Sequence, residues 1–229
     1  MTSTSPTSVP VLTIDGPSGA GKGTVARLLA QRLGWHLLDS GAVYRAVAAS
    51  ALDQGVAPED LDGLVRLCEQ VDLVFELDDD GVRVLLGGRN ADARIRQEEV
   101  AVMSSRIASV PAVRAALLTL QRSFRISPGL VADGRDMGTV VFPDAICKVF
   151  LTASPEERAH RRFEQLKQKG KDVIFERLFQ DLLERDQRDR ERAVSPTQAA
   201  PGALLIDSTD LTIDQVVDRI MNEPSLHRP

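Results

Sequence analysis

Aromatic residues are scarce in this chain: they make up 4% of 229 residues, with one Trp and one Tyr. That is too few rings to build a platform on which the bases of a single strand would stack. Cysteine is scarcer still. Cys68 and Cys147 are the whole complement, neither lies in a C-x-x-C or beside a His, and each stands among apolar residues. No zinc site is readable from them, and two buried, reduced thiols are expected. No apolar run approaches the roughly 20 residues of a membrane span. The segment Met1 to Pro10 has neither a basic start nor an apolar middle, so it does not read as a signal peptide. It reads as a disordered leader, and a cytoplasmic location is expected. Excess positive charge is also missing, because 28 Lys and Arg face 33 Asp and Glu for a net charge of −5. Coating of nucleic acid or of a membrane surface is therefore not expected. No coiled-coil heptad or exposed apolar stripe is readable, so the expected state is a monomer.

What is present is ordinary globular composition, 43% apolar and 27% charged, in a length that suits one large domain or a domain with an insertion. The run Val11 to Ile14 predicts a buried strand. A glycine-rich turn follows over Gly16 to Gly23, then a helix through Val25, Leu29 and Leu33 that stops at Gly34. Trp35 to Leu38 predicts a second strand, and Ser40 a helix cap. Strand, helix, strand, helix in this order implies a parallel sheet with covering helices. The rhythm then breaks. A short helix near Leu61 to Cys68 precedes two strand-like runs, Val71 to Leu77 and Val82 to Leu86, around the turn Asp78-Asp79-Asp80-Gly81. That hairpin marks an insertion over about Asp60 to Val110. A helix near Val113 to Phe124 follows. The alternation resumes with strands at Leu130 to Ala132, Ile146 to Leu151 and Leu204 to Ile206. Ser154-Pro155-Glu156-Glu157 predicts a helix start. An amphipathic helix runs from Phe175 to about Arg192, and Thr212-x-x-Gln215 caps the last helix.

The chemistry is concentrated in four blocks. Gly16-Pro17-Ser18-Gly19-Ala20-Gly21-Lys22-Gly23-Thr24 stands between a strand and a helix. Its glycines let successive N–H groups converge on a phosphate, the helix N-terminus adds positive charge, and Lys22 reaches the outer phosphates. Gly23 stands where the general motif has its hydroxyl, so Thr24 is the candidate for magnesium. No Asn-Lys-x-Asp guanine reader is present, and Asp78-x-x-Gly81 reads as turn chemistry. On the last long helix, Leu178, Leu182, Arg185, Asp189 and Arg192 fall on one stripe, which implies a polar cleft; a merely structural i, i+4 pair of Arg185 with Asp189 is the lesser alternative. Asp133-Gly134-Arg135-Asp136 follows a strand, where open α/β sheets bind ligands. Asp39 and Asp207 also end strands, as caps or as site residues.

These blocks, Gly16 to Thr24, Asp39 to Arg45, Asp133 to Thr139 and Arg185 to Arg190, together resemble the bacterial cytidylate kinases over about Val11 to Ile220. The resemblance implies an α/β P-loop kinase fold, with a core over 11–59 and 111–222 and a mobile lid at about 155–172. Residues 60–110 then correspond to the inserted monophosphate-binding region with its hairpin. It implies transfer of the γ-phosphoryl of ATP to CMP or dCMP with Mg²⁺. Carried over by position, Ser40, Ser105, Arg114 and Asp136 read cytosine, and Arg185 and Asp189 touch the sugar. Arg45, Arg135 and Arg192 clamp the acceptor phosphate, and Arg161 and Arg162 reach the phosphates from the lid. The stretch Gln165 to Lys171 is expected to order when both nucleotides bind. Another small-substrate kinase, or a protein that binds ATP and signals by closing, are the alternatives; turnover with each acceptor separates them.

Overall fold

The computed structural model describes residues 9–78, 81–168, 170–192 and 194–227. Of the expected leader Met1 to Pro10, the first eight residues lie outside the described residues, whereas the carbonyls of Val9 and Pro10 accept from Arg125 Nε at 2.7 Å and the Leu130 N–H at 3.0 Å; the hairpin tip Asp79-Asp80 and Lys169, in the expected lid, also lie outside them. Five strands form one sheet in the order β2-β6-β1-β7-β8. They are β1 (Val11–Asp15), β2 (His36–Asp39), β6 (Leu130–Gly134), β7 (Cys147–Thr152) and β8 (Leu204–Asp207). β1 pairs in parallel with β7, Leu12 opposite Cys147 and Asp15 opposite Phe150, and β7 pairs in parallel with β8. A second sheet has the order β3-β4-β5, with β3 (Leu73–Asp78) antiparallel to β4 (Gly81–Leu86) as the sequence implied. The third strand, β5 (Arg89–Asn90), carried no strand signal.

By compactness the chain divides into two units, one built on Ala30–Ala132 and the other on Val11–Leu29 and the chain from Asp133 onward. In the first, α2 (Ser40–Asp53) packs on α5 (Glu98–Ile107), and α3 (Leu61–Gln70) on α6 (Pro111–Ser123). Val43, Val47, Leu64, Ile107, Val113 and Leu117 are fully buried there. Each such side chain adds about 1.5–3 kcal/mol of apolar transfer energy. α5 and the short α4 (Asp92–Ile95) went unread in the sequence. The cap of α2 is Asp39, not Ser40: its carboxylate accepts from the Ala42 N–H at 2.9 Å. This is the cap alternative for Asp39. Both cysteines are free and buried, and burial pushes each thiol up to about 11.

In the second unit, β1 is buried along its whole length, while β7 buries alternate residues. α1 begins at Lys22 and runs to Leu33, leaving this unit at Ala30. α7 (Pro155–Gln168) starts at Ser154, whose hydroxyl accepts from the Glu157 N–H at 3.2 Å. α8 (Phe175–Arg190) packs against α7 through Phe175, which stacks on His160 with ring centroids 4.5 Å apart. α9 (Ile213–Met221) opens with the capping box of Thr212 and Gln215. Among the described residues no single helix is long and apolar enough to cross a membrane.

Candidate active site

The glycine-rich turn leaves the end of β1 and enters α1 at Lys22. Gly16 has φ +145, and a Cβ there would lie 2.0 Å from the Leu151 carbonyl oxygen of β7. Only glycine fits where the loop turns away from the sheet. Lys22 is 6% exposed. Its Nζ donates to the Pro17 carbonyl at 2.9 Å and lies 4.0 Å from Asp133 Oδ1. Burial, and then the positive charge of Arg135, pushes the ammonium down to about 7. The lysine is thus held among groups that do not fully satisfy its charge, a state that an anionic ligand would relieve.

Asp15 ties the end of β1 to the turn that follows Asp136. Its two carboxylate oxygens accept from the backbone N–H groups of Met137 and Gly138, each at 2.8 Å. Burial pushes this carboxyl up to about 7, against the pull of those two amides. The anchored segment Met137–Val141 is a single π-helical turn, a form that recurs at functional sites. It holds Arg135 and the buried Asp136 just outside the strand.

Arg135 bridges two other parts of the unit. Its Nη2 donates to Ser18 Oγ at 2.7 Å and its Nε to Asp189 Oδ2 at 2.9 Å. Asp189 also pairs with Arg192, which lies beyond the end of α8. Burial alone would raise the Asp189 carboxyl, but Arg135 and Arg192 outweigh it and hold it below the usual carboxylate range. Arg185 departs from the expected stripe. It is exposed, and the buried residues of α8 are Leu182, Asp186 and Asp189. Its charge nonetheless acts on Lys22. Arg161 and Arg162, expected to belong to a lid, are engaged by protein groups. Arg161 bonds Glu157 at 2.8 Å and the Ser208 carbonyl at 2.6 Å, and Arg162 bonds Gln165 at 2.6 Å. Asp207 accepts from the N–H and hydroxyl of Thr209, which is turn chemistry.

In the other unit, Ser40 is buried in the first turn of α2, and Tyr44 stands one turn along the same face. The Arg114 guanidinium lies over the Tyr44 ring, 5.7 Å from its centroid, and donates to the Ala108 carbonyl at 3.1 Å. Ser105 is half-buried on α5, the helix that packs on α2. Arg45 is held by Asp39 at 3.2 Å.

Two residues escaped the sequence reading. Arg158 and Asp186 form a buried ion pair beside the phosphate loop. Their local pattern is a run of mixed charges, and the one available signal was Asp186 standing four residues after Leu182, on its face.

The family model described as cytidylate kinase matches residues 12–225. A cytidylate kinase of Aeromonas salmonicida (strain A449) is 56% identical over 216 residues, 94% of either chain. One of Methylococcus capsulatus (strain ATCC 33009 / NCIMB 11132 / Bath) is also 56% identical, over 96% of this chain and 98% of its own. A gluconokinase structure from Sinorhizobium meliloti 1021 covers 96% of this chain and 93% of its own at 16% identity, with a TM-score of 0.46. That likeness is too slight to bear on function. With the strand–loop–helix at Lys22 and a match to nearly the whole chain at over half identity, the chain belongs to the cytidylate kinase family.

Proposed function

We propose that this kinase transfers the γ-phosphoryl of ATP to CMP or dCMP, with the loop Gly16 to Thr24 and Lys22 holding the donor phosphates. The observation that carries this reading is the bridge made by Arg135, from the loop hydroxyl of Ser18 to Asp189 on α8. It sets a rigid cationic fork beside a phosphate-binding turn. The acceptor is itself a phosphate anion, so the reaction needs no general base. It needs positive charge held in line between two polyanions, which Lys22, Arg135 and Arg192 supply. Arg45 is assigned to the acceptor phosphate as well.

Asp136 is assigned to the cytosine N4 amino group, whose hydrogens a carboxylate accepts. Ser40, Ser105 and Arg114 are assigned to the remaining base edge, where N3 and O2 are acceptors. Arg185 and Asp189 are assigned to the sugar. Arg161 and Arg162 move to the phosphates on lid closure, exchanging their local partners for stronger anionic ones.

Mg²⁺ suits the donor set. Thr24 is exposed in the first turn of α1, and the Asp133 carboxylate lies 3.5 Å from where a Cβ on Gly23 would stand. Both are the hard oxygen ligands that this ion prefers. When bound, it neutralises charge on the donor phosphates.

The test is a coupled ADP-release assay with Mg-ATP and each of CMP, dCMP, UMP, AMP and shikimate. Turnover fastest with the two cytidine nucleotides is expected. Faster turnover with another acceptor would remove the assignments of Asp136 and Arg114.

A further inference from the structure

Arg158 is charged, yet it is only 4% exposed. It lies in the first turn of α7 and turns its guanidinium inward. Nε donates to the Ala153 carbonyl at 3.0 Å and Nη1 to the Ser18 carbonyl at 2.9 Å. The group pairs with Asp186 of α8, which is also buried. The second oxygen of that carboxylate, Oδ1, is buried with no hydrogen-bond partner.

A buried ion pair is a weak source of stability, because apolar residues of similar volume serve as well or better. What an apolar pair cannot do is aim two donors at two particular carbonyls. One of the two belongs to the phosphate loop. The contact is close: a Cβ on Gly19 would stand 3.0 Å from Arg158 Cβ and 3.1 Å from its carbonyl oxygen. The apex of the loop therefore rests directly on α7.

Peptide planarity turns this contact into an orientation. In a trans peptide the carbonyl and the N–H point in opposite directions. The Ser18–Gly19 bond is trans, since the one cis bond among the described residues precedes Pro128. Drawing the Ser18 carbonyl to Arg158 turns the Gly19 N–H to the opposite side, away from α7. An N–H so fixed is a ready donor to an anion.

We propose that Arg158, held by Asp186, is a positioning residue for the phosphate loop, fixing the Ser18–Gly19 peptide in the orientation that receives the donor's phosphates. The proposal rests on the reading of Gly16 to Thr24 as the ATP phosphate site. No contact of Arg158 with substrate is required.

The test uses the full chain with Arg158→Met and Asp186→Leu combined, so that neither charge is left buried alone. Thermal melting and steady-state kinetics are measured with ATP and CMP varied in turn. The double variant is expected to melt within a few degrees of the parent. Its KM for ATP should rise about tenfold or more, since small misplacements of a binding group carry such costs, while its KM for CMP stays within about twofold. Arg158→Lys keeps the charge opposite Asp186 but lacks the fork, and should show the same rise for ATP. A folded double variant with the parental KM for ATP overturns the proposal. If the double variant does not fold, the parental KM in folded Arg158→Lys overturns it. Lys22→Ala is the separate arm: an unchanged KM for ATP there would overturn the phosphate-loop reading itself.

Discussion

Asp186 and Asp189 stand one helical turn apart on α8, both buried, and each holds an arginine that grips Ser18. Arg158 takes the Ser18 carbonyl and Arg135 takes its hydroxyl. The middle of the phosphate loop is thus clasped from two sides by groups answering to one helix. A shift of α8 would move both partners at once. α8 is in this way joined to the glycine-rich loop.

Replacing Asp189 by Asn should separate the two grips. Arg135 and Arg192 would lose their shared buried anion, and two half-buried guanidinium groups would face each other without it. We expect kcat/KM for CMP to fall about a hundredfold, the scale set by misplaced catalytic groups. Stability should fall by about 3 kcal/mol, as when one partner of a buried pair is removed. Its pH dependence has a defined sign. The folded protein holds the Asp189 carboxyl below its ordinary value of 3.8, so it binds that proton less readily than the unfolded chain. The stabilisation is present above that value and is lost as the pH falls through the lower, folded one. Urea midpoints from pH 6 down to pH 3 should therefore drop more steeply for the parent than for the variant. Parallel curves would refute this.

Gly16→Ala tests the turn at the end of β1. The new methyl would stand 2.0 Å from the Leu151 carbonyl oxygen at a φ of +145. Neither the backbone oxygen of a paired strand nor the torsion can give way cheaply. A loss of at least about 3 kcal/mol in urea unfolding is expected, along with weakened ATP binding. A loss below about 1 kcal/mol would mean that the loop can re-route.

Asp136→Asn tests the proposed assignment of this carboxylate to the cytosine amino group. A carboxylate accepts from the cytosine amino group but repels the uracil carbonyl at the same place. An amide can present its NH₂ to that carbonyl. The ratio of kcat/KM for UMP over CMP should rise by about a hundredfold or more, because hydrogen-bonding sites discriminate strongly when a buried partner is mismatched. An unchanged ratio would place base reading elsewhere.

Contiguous chemistry was legible in the sequence, and chemistry assembled by packing was not. The loop from Gly16 to Thr24 carries its own signature, and so does the Thr212–Gln215 cap. The stripe on α8 shows the limit. Positions three and four residues after Leu182 both lie near its face, so spacing alone admits Arg185 and Asp186 equally. Packing buries Asp186, where it meets Arg158 of another helix, and leaves Arg185 exposed. The same holds for Asp39 and Ser40: both residue types cap helices, and the chain turn at the end of β2 selects Asp39. The strand β5, only Arg89–Asn90, exists because the preceding turn lays it beside β4, not through any strand preference of its own.

Lys22 offers a test of the site's electrostatics that does not depend on turnover. Burial holds its ammonium well below the ordinary lysine value, down to about 7, so the neutral amine should gain weight as the pH rises from 7 to 9. A polyphosphate placed beside it favours the charged form and raises the pKa again. ATP binding at pH 8 should therefore draw a proton from solution, up to about one per site by linkage. Titration calorimetry in two buffers of different ionisation enthalpy measures that proton directly. The affinity for ATP should also weaken between pH 7 and pH 9, because the missing proton has to be supplied from an ever smaller pool. Lys22→Met has no ammonium to restore there and should bind more weakly, with a smaller proton uptake and a shallower dependence on pH. Proton uptake that is the same in Lys22→Met would assign the titration to another group, with Asp15, whose carboxyl is raised to about 7 beside the same loop, the first to examine.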